Sequence, residues 1–170
     1  MNPILSAGLL IGVLCGLWTF LMGVTGWYKD PVMVNVFYVV ILIEVGGLFW
    51  GLRRTAAEGR GYGSQVVAGA MMAIVAGVVV ICSSLLFTTV MYPDYFTELE
   101  AMQIQSLQEQ GLSDAEIVRQ ISEIRAATTP MGQALQGFFY TLITGIVASA
   151  IIAIWVRARH PIARPLAHPR

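Results

Sequence analysis

The chain has 170 residues, of which 56% are hydrophobic and only 12% charged, and its ten basic side chains balance ten acidic ones. A soluble domain carries about twice that charged fraction. Together with a mean hydropathy of +0.71, this excludes an ordinary water-soluble globule, and the length leaves room for one compact unit. No nucleic-acid partner and no cofactor are expected.

Four apolar runs, at residues 4–26, 32–52, 64–91 and 131–156, carry Glu44 as their single charge. A helix needs about 20 apolar residues to cross the hydrocarbon core of a bilayer. The runs therefore predict an all-α, polytopic membrane protein with four transmembrane helices, making one membrane domain over 1–156. Met1-Asn2-Pro3 lacks a basic n-region, and the first run is too long for a signal-peptide core, so it is expected to stay in the protein. Cys15 and Cys82 both fall inside spans, where they are expected to act as small packing residues rather than as a disulfide or metal ligands.

The arginines set the expected orientation. Arg53, Arg54 and Arg60 sit between the second and third runs, and Arg157, Arg159, Arg164 and Arg170 follow the fourth. Short basic loops stay cytoplasmic, which places both termini in the cytoplasm and residues 92–130 outside. That outer segment holds seven acidic residues against Arg119 and Arg125. Aromatic residues agree with these boundaries. Trp27, Tyr28, Tyr92, Tyr95 and Phe138 to Tyr140 mark the outer interface, and Trp50, Tyr62 and Trp155 the inner one.

In the first span Gly8, Gly12 and Gly16 recur every four residues, as do Gly47 and Gly51 in the second. The third carries Gly69, Ala73 and Gly77, and the fourth Gly137, Thr141, Gly145, Ser149 and Ala153. A spacing of four puts such residues on one helix stripe, and in lipid small stripes let backbones approach closely. They predict either packing of the four helices within one chain or, on the first or fourth span, association with a second copy or another membrane protein.

Residues 92–130 read as an extracytoplasmic helical hairpin. Pro93-Asp94 opens a helix with Glu98 and Glu100 near its start, and Gly111 stops it. Ser113-Asp114-Ala115-Glu116 is a capping box, followed by Ile117, Ile121 and Ile124 on one face. Thr128-Thr129-Pro130 ends it. Residues 157–170 read as a flexible, basic cytoplasmic tail in which His160 and His168 are solvated rather than ligands.

Glu44 is the strongest candidate for function. It lies about 12 Å from the inner end of its span, counted back from Leu52 at the helical rise. A carboxylate at that depth costs a few kcal/mol unless it is protonated, hydrogen-bonded or wet, and an intramembrane ionisable group is a functional hypothesis by default. Depth counting brings Gly12, Cys15, Ala73 and Thr144 to Ser149 to its level, so Thr144 or Ser149 is its expected hydroxyl partner. Asn35, Gln133 and Gln136 are expected to line the same crevice further out.

The chain resembles a known family through GLFWGLRR at 47–54, MYPDYFTELE at 91–100, QEQGLSDAEIVRQISEIRAA at 108–127 and LITGIVASAIIAIWVRAR at 142–159. These stretches are similar to the bacterial four-helix inner-membrane proteins of domain-of-unknown-function family 4199. The resemblance implies a bacterial cytoplasmic-membrane protein with a helical hairpin outside, and it implies no activity and no site residues.

Two functions compete on these grounds. One is a non-enzymatic membrane protein acting through helix association, as a homo-oligomer or as the accessory subunit of a complex. The other is a small oligomeric transporter or channel that uses Glu44 for proton, ion or ligand handling. An enzyme is the weakest reading, because no nucleophile or metal set faces an interface.

Overall fold

The computed structural model describes residues 2–30 and 32–156, so the 157–170 tail, with its two histidines, lies outside the described residues. Among the described residues there are helices and turns and no strands. Helix α1 spans Pro3–Thr25. Proline occupies its first turn, the Asn2 side chain accepts the Ile4 amide at 3.0 Å, and Gly26 closes it in the left-handed conformation at φ 69°. Two 3-10 segments follow, Trp27–Lys29 and Met33–Tyr38. Helix α2, Val39–Ala57, then turns at Gly59 (φ 83°) into α3, Tyr62–Leu86. A π-helical turn, Phe87–Met91, ends α3 with the Tyr92 amide bonded to the Phe87 carbonyl at 2.8 Å. Helices α4, Tyr95–Glu109, and α5, Asp114–Ala127, precede the long α6, Pro130–Val156.

Four helices are long and apolar enough to cross a membrane: Pro3–Thr25, Met33–Ala57, Tyr62–Met91 and Pro130–Val156. Their outer faces are apolar as well. Leu17, Val24, Leu42, Val67, Ile143 and Trp155 are all exposed, a distribution that suits hydrocarbon and would be penalised in water. This is a multi-pass, all-α membrane protein.

The four spans form a ring in which α1 meets α3, α3 meets α6, α6 meets α2 and α2 returns to α1. Close approaches fix their directions. Gly8 lies against Val75 and Gly16 against Ser83, so α1 and α3 run parallel. Gly47 lies against Ile11 and Gly51 against Ala7, so α2 runs opposite to α1. Gly69 meets Ser149 and Gly77 meets Phe138, so α6 runs opposite to α3. One end of the bundle therefore holds the start of α1, the α2–α3 turn and the end of α6. The other holds the 3-10 segments, α4, α5 and the start of α6.

Near the α2–α3 turn the bundle is tightly packed. Ala7, Ile11, Leu48, Leu52, Ala68, Met72 and Ala76 form its core. Two polar side chains are buried there: Thr55 Oγ1 donates to Gln65 Oε1 at 2.6 Å, and Gln65 Nε2 donates to the Leu52 carbonyl at 3.3 Å. In lipid such a pair must be satisfied internally, and this clamp ties the end of α2 to the start of α3. Arg54 stacks on Trp50 with its guanidinium 3.9 Å from the ring centre, which holds the basic end of α2 against an interfacial aromatic.

At the other end, α4 and α5 pack side by side. Ile117 and Ile121 are buried, Gly111 stops α4 in the left-handed conformation (φ 78°), and the capping box at Ser113 and Glu116 starts α5. The Glu116 carboxylate accepts from both Ser113 N and Ser113 Oγ, and these bonds hold its carboxyl below the usual carboxylate range. Arg125 of α5 makes an ion pair with Glu100 of α4.

A candidate cation and ligand site

Between the spans, on the side that carries α4 and α5, lies a crevice of about 1050 Å³. Its innermost lining residues stop at one level on all four helices: Cys15 on α1, Glu44 on α2, Val80 on α3 and Thr144 on α6. Below that level the packed core begins, so Glu44 and its neighbours form the floor.

Glu44 is 4% exposed. Thr144 Oγ1 donates to its Oε2 at 2.5 Å. Its other oxygen, Oε1, is buried and has no hydrogen-bond partner among the described residues. Gly145 makes this placement possible, because a Cβ there would stand 2.9 Å from Glu44 Oε1 and 2.5 Å from the Ala73 Cβ. A carboxylate oxygen that is dehydrated and unpaired is costly, so the site favours whatever supplies it with a proton or a positive charge.

Of the two hydroxyls expected near Glu44, the structure pairs Thr144 with it and turns Ser149 elsewhere. Ser149 is fully buried against Gly69, and its Oγ has no hydrogen-bond partner among the described residues. It sits more than a helical turn beyond Thr144 toward the packed end and belongs to the α3–α6 contact. Asn35, Gln133 and Gln136 do line the crevice, above Glu44.

Every stripe glycine singled out in the sequence meets a neighbouring helix of the same chain. Gly8 and Gly12 meet Val75 and Val79, each at 2.6 Å from an added Cβ, and Gly16 meets Ser83 at 2.5 Å. Gly47 and Gly51 face α1, and the latter also faces Met72. Gly69 meets Ser149, Gly77 meets Phe138 at 2.6 Å, Gly137 meets Val80 at 3.3 Å and Gly145 meets Ala73. Packing within one chain therefore accounts for the stripes. Cys15 is buried at the floor with its thiol 3.9 Å from the Val40 carbonyl, and Cys82 is exposed on α3.

Aromatic rings form much of the wall: Tyr28, Phe37, Tyr38, Phe87, Tyr95 and Tyr140. Several of these rings touch. Phe87 lies edge-on to Tyr95 at 5.3 Å between centroids and packs on Tyr92 at 4.7 Å, an arrangement that follows from the π-helical turn. Burial pushes the Tyr95 phenol above its ordinary value, a shift that its hydrogen bond with Gln133 partly opposes. Beside the crevice a latch joins α4 to the α1–α2 linker. The Tyr28 hydroxyl donates to the Glu98 carboxylate, and Lys29 Nζ lies 2.9 Å from the same oxygen. Those bonds, that of Tyr28 first, hold the Glu98 carboxyl below the usual range. Sequence inspection missed this latch, and also the Thr55–Gln65 clamp. The only signal for either was a polar residue at a span boundary.

Among the described residues, none that lines the crevice is Lys, Arg or His, and no cluster of three or more His, Cys, Asp or Glu could hold a metal ion. A family model described as "Protein of unknown function (DUF4199)" matches residues 6–158. The chain belongs to that family. No curated protein and no solved structure matches it.

Proposed function

We propose that this member of the DUF4199 family is a non-enzymatic membrane protein that takes a proton, a cation or a cationic ligand from one side of the membrane down to Glu44. The observation that carries this reading is Glu44 Oε1, buried, unpaired and at the floor of a crevice with no basic lining residue among those described. In this reading the site binds an ion through its carboxylate. Thr144 orients it, and Asn35, Gln133 and Gln136 provide polar steps along the way in. The packed half below Glu44 closes the path, so passage across the membrane requires either a rearrangement of the spans or a second copy that completes the route.

The setting we infer is the bacterial cytoplasmic membrane. The arginines of the α2–α3 turn and both termini lie in the cytoplasm, and α4, α5 and the crevice mouth lie outside. Association with other copies or subunits would use the lipid-facing surfaces, since the small-residue stripes are occupied within the chain.

The test is flux in proteoliposomes. Wild-type protein is expected to pass protons or small cations, with Glu44→Gln abolishing the passage while the variant stays folded in detergent. Equal flux in both proteins would remove Glu44 from the function. Labelling of cysteines introduced at Gln110 and Ala57 is expected from opposite sides of the membrane.

A further inference from the structure

The crevice is much larger than a proton or a bare metal ion needs, and its volume reaches the upper end of the roughly 300–1,000 Å³ of small-molecule sites. Its chemistry is one-sided. The floor carries an unpaired carboxylate oxygen, the walls carry aromatic rings, and the nearby Lys29 is held by Glu98 rather than aimed inward. Aromatic faces attract organic cations once these are desolvated, and a buried carboxylate supplies the counter-charge.

The side of the crevice matters as much as the floor. Tyr38 at the end of the second 3-10 segment, Ile41 of α2 and Tyr140 of α6 line it and remain exposed, Tyr38 to 63% and Tyr140 to 61%. Because Glu44 pairs with Thr144 across α2 and α6, Ile41 and Tyr140 lie about one turn above the floor on adjacent helices, and Tyr38 nearly two. These exposed side chains flank the seam between the two helices.

We propose that the ligand class of the Glu44 site is a lipophilic organic monocation, an ammonium or phosphonium ion with an apolar or aromatic body, which enters from the membrane between α2 and α6. This rests on the reading of Glu44 as a cation-handling group and narrows it. The ion places its charge over the Glu44 carboxylate and its body against Tyr38, Phe37 and Tyr140.

The experiment is equilibrium dialysis of the full chain in detergent, with protein-free micelles as blank, against tetraphenylphosphonium and its near-isosteric anion tetraphenylborate. The cation is expected to bind saturably and at least about tenfold more tightly than the anion, with Glu44→Gln removing that preference. Ser84→Trp, which fills the crevice and keeps the carboxylate, is expected to abolish binding of the cation. Equal binding of both ions, or cation binding unchanged in both variants, overturns the proposal. Inorganic cation and proton flux measured on the same preparations separates the two readings. Flux that depends on Glu44 without phosphonium binding rejects the ligand class and keeps the site. Loss of both dependences rejects both.

Discussion

The same four helices make two unlike halves. Toward the α2–α3 turn they close on one another through Gly8, Gly51, Gly69 and Gly145, around Leu48, Leu52 and Met72, all fully buried. Toward α4 and α5 a space opens among them, lined by rings, hydroxyls and amides, while α1 and α6 still meet α3 at Gly16 and Gly137. The boundary is the Glu44–Thr144 pair. In lipid, apolar side chains gain little by leaving one hydrocarbon environment for another, so close backbone approach decides where helices hold together. Where the small residues give way to Phe37, Tyr38, Phe87 and Tyr140, the helices leave that space and a site appears.

Substitutions sharpen this contrast, and the largest effect is expected in the packed half. Leu48→Ala removes a fully buried side chain and is expected to destabilise the protein by about 2–5 kcal/mol, whereas Ile41→Ala on the crevice wall should cost far less. Comparing the two in denaturant titrations in detergent checks this, and equal losses would break the distinction between the halves. Next comes Gly145→Ala, whose added Cβ meets Ala73 at 2.5 Å. It is expected to cost about 1–3 kcal/mol. Gly46→Ala, with open space around it, is expected to stay within about 0.5 kcal/mol.

At the boundary, Thr144→Val leaves Glu44 Oε2 without its donor and should cost about 1–3 kcal/mol. Glu44→Gln retains an acceptor for Thr144 and should leave the melting temperature in detergent nearly unchanged. A large drop would show the carboxylate to be a structural element.

The smallest effect expected is on the latch. Glu98 is held below its ordinary value of 4.5 by Tyr28 and Lys29, so its contribution is present above that value and is lost as pH falls through the lowered one. Lys29 is raised above 10.5 by Glu98 first and also by Tyr28, so its contribution is complete below 10.5 and is lost as pH rises through the raised value. Hydrogen exchange at the first turn of α4 should therefore be protected between these limits and less protected beyond either. Protection independent of pH would remove the latch.

Much of this was legible in the residues. Length and polarity alone identified the four spans, because hydrocarbon admits so few backbone solutions. Gly111 and the Ser113–Glu116 box punctuated α4 and α5, because their signals are local. Depth counting brought Thr144, Asn35, Gln133 and Gln136 to the right region, since rise per residue is nearly constant.

What depth cannot supply is rotation. Thr144 and Ser149 were equal candidates by depth, and only the turn of α6 about its axis aims one at Glu44 and the other at Gly69. The order of spans around the ring was hidden for the same reason, and with it the crevice. Gln65 was hidden because a polar residue at the edge of a span reads as solvated until the Thr55 hydroxyl is found beside it.

The Thr144 hydroxyl lies within reach of three acceptors: Glu44 Oε2, the Tyr140 carbonyl at 2.7 Å and the Thr141 carbonyl at 3.3 Å. It has one hydrogen to give. While Glu44 is anionic that hydrogen serves the carboxylate. Once Glu44 carries a proton of its own, the carboxyl can become the donor and the threonine hydrogen can swing to Tyr140. The arrival or departure of one proton at the centre of the bundle can thus be accommodated by turning a single O–H bond, with every heavy atom left where it stands.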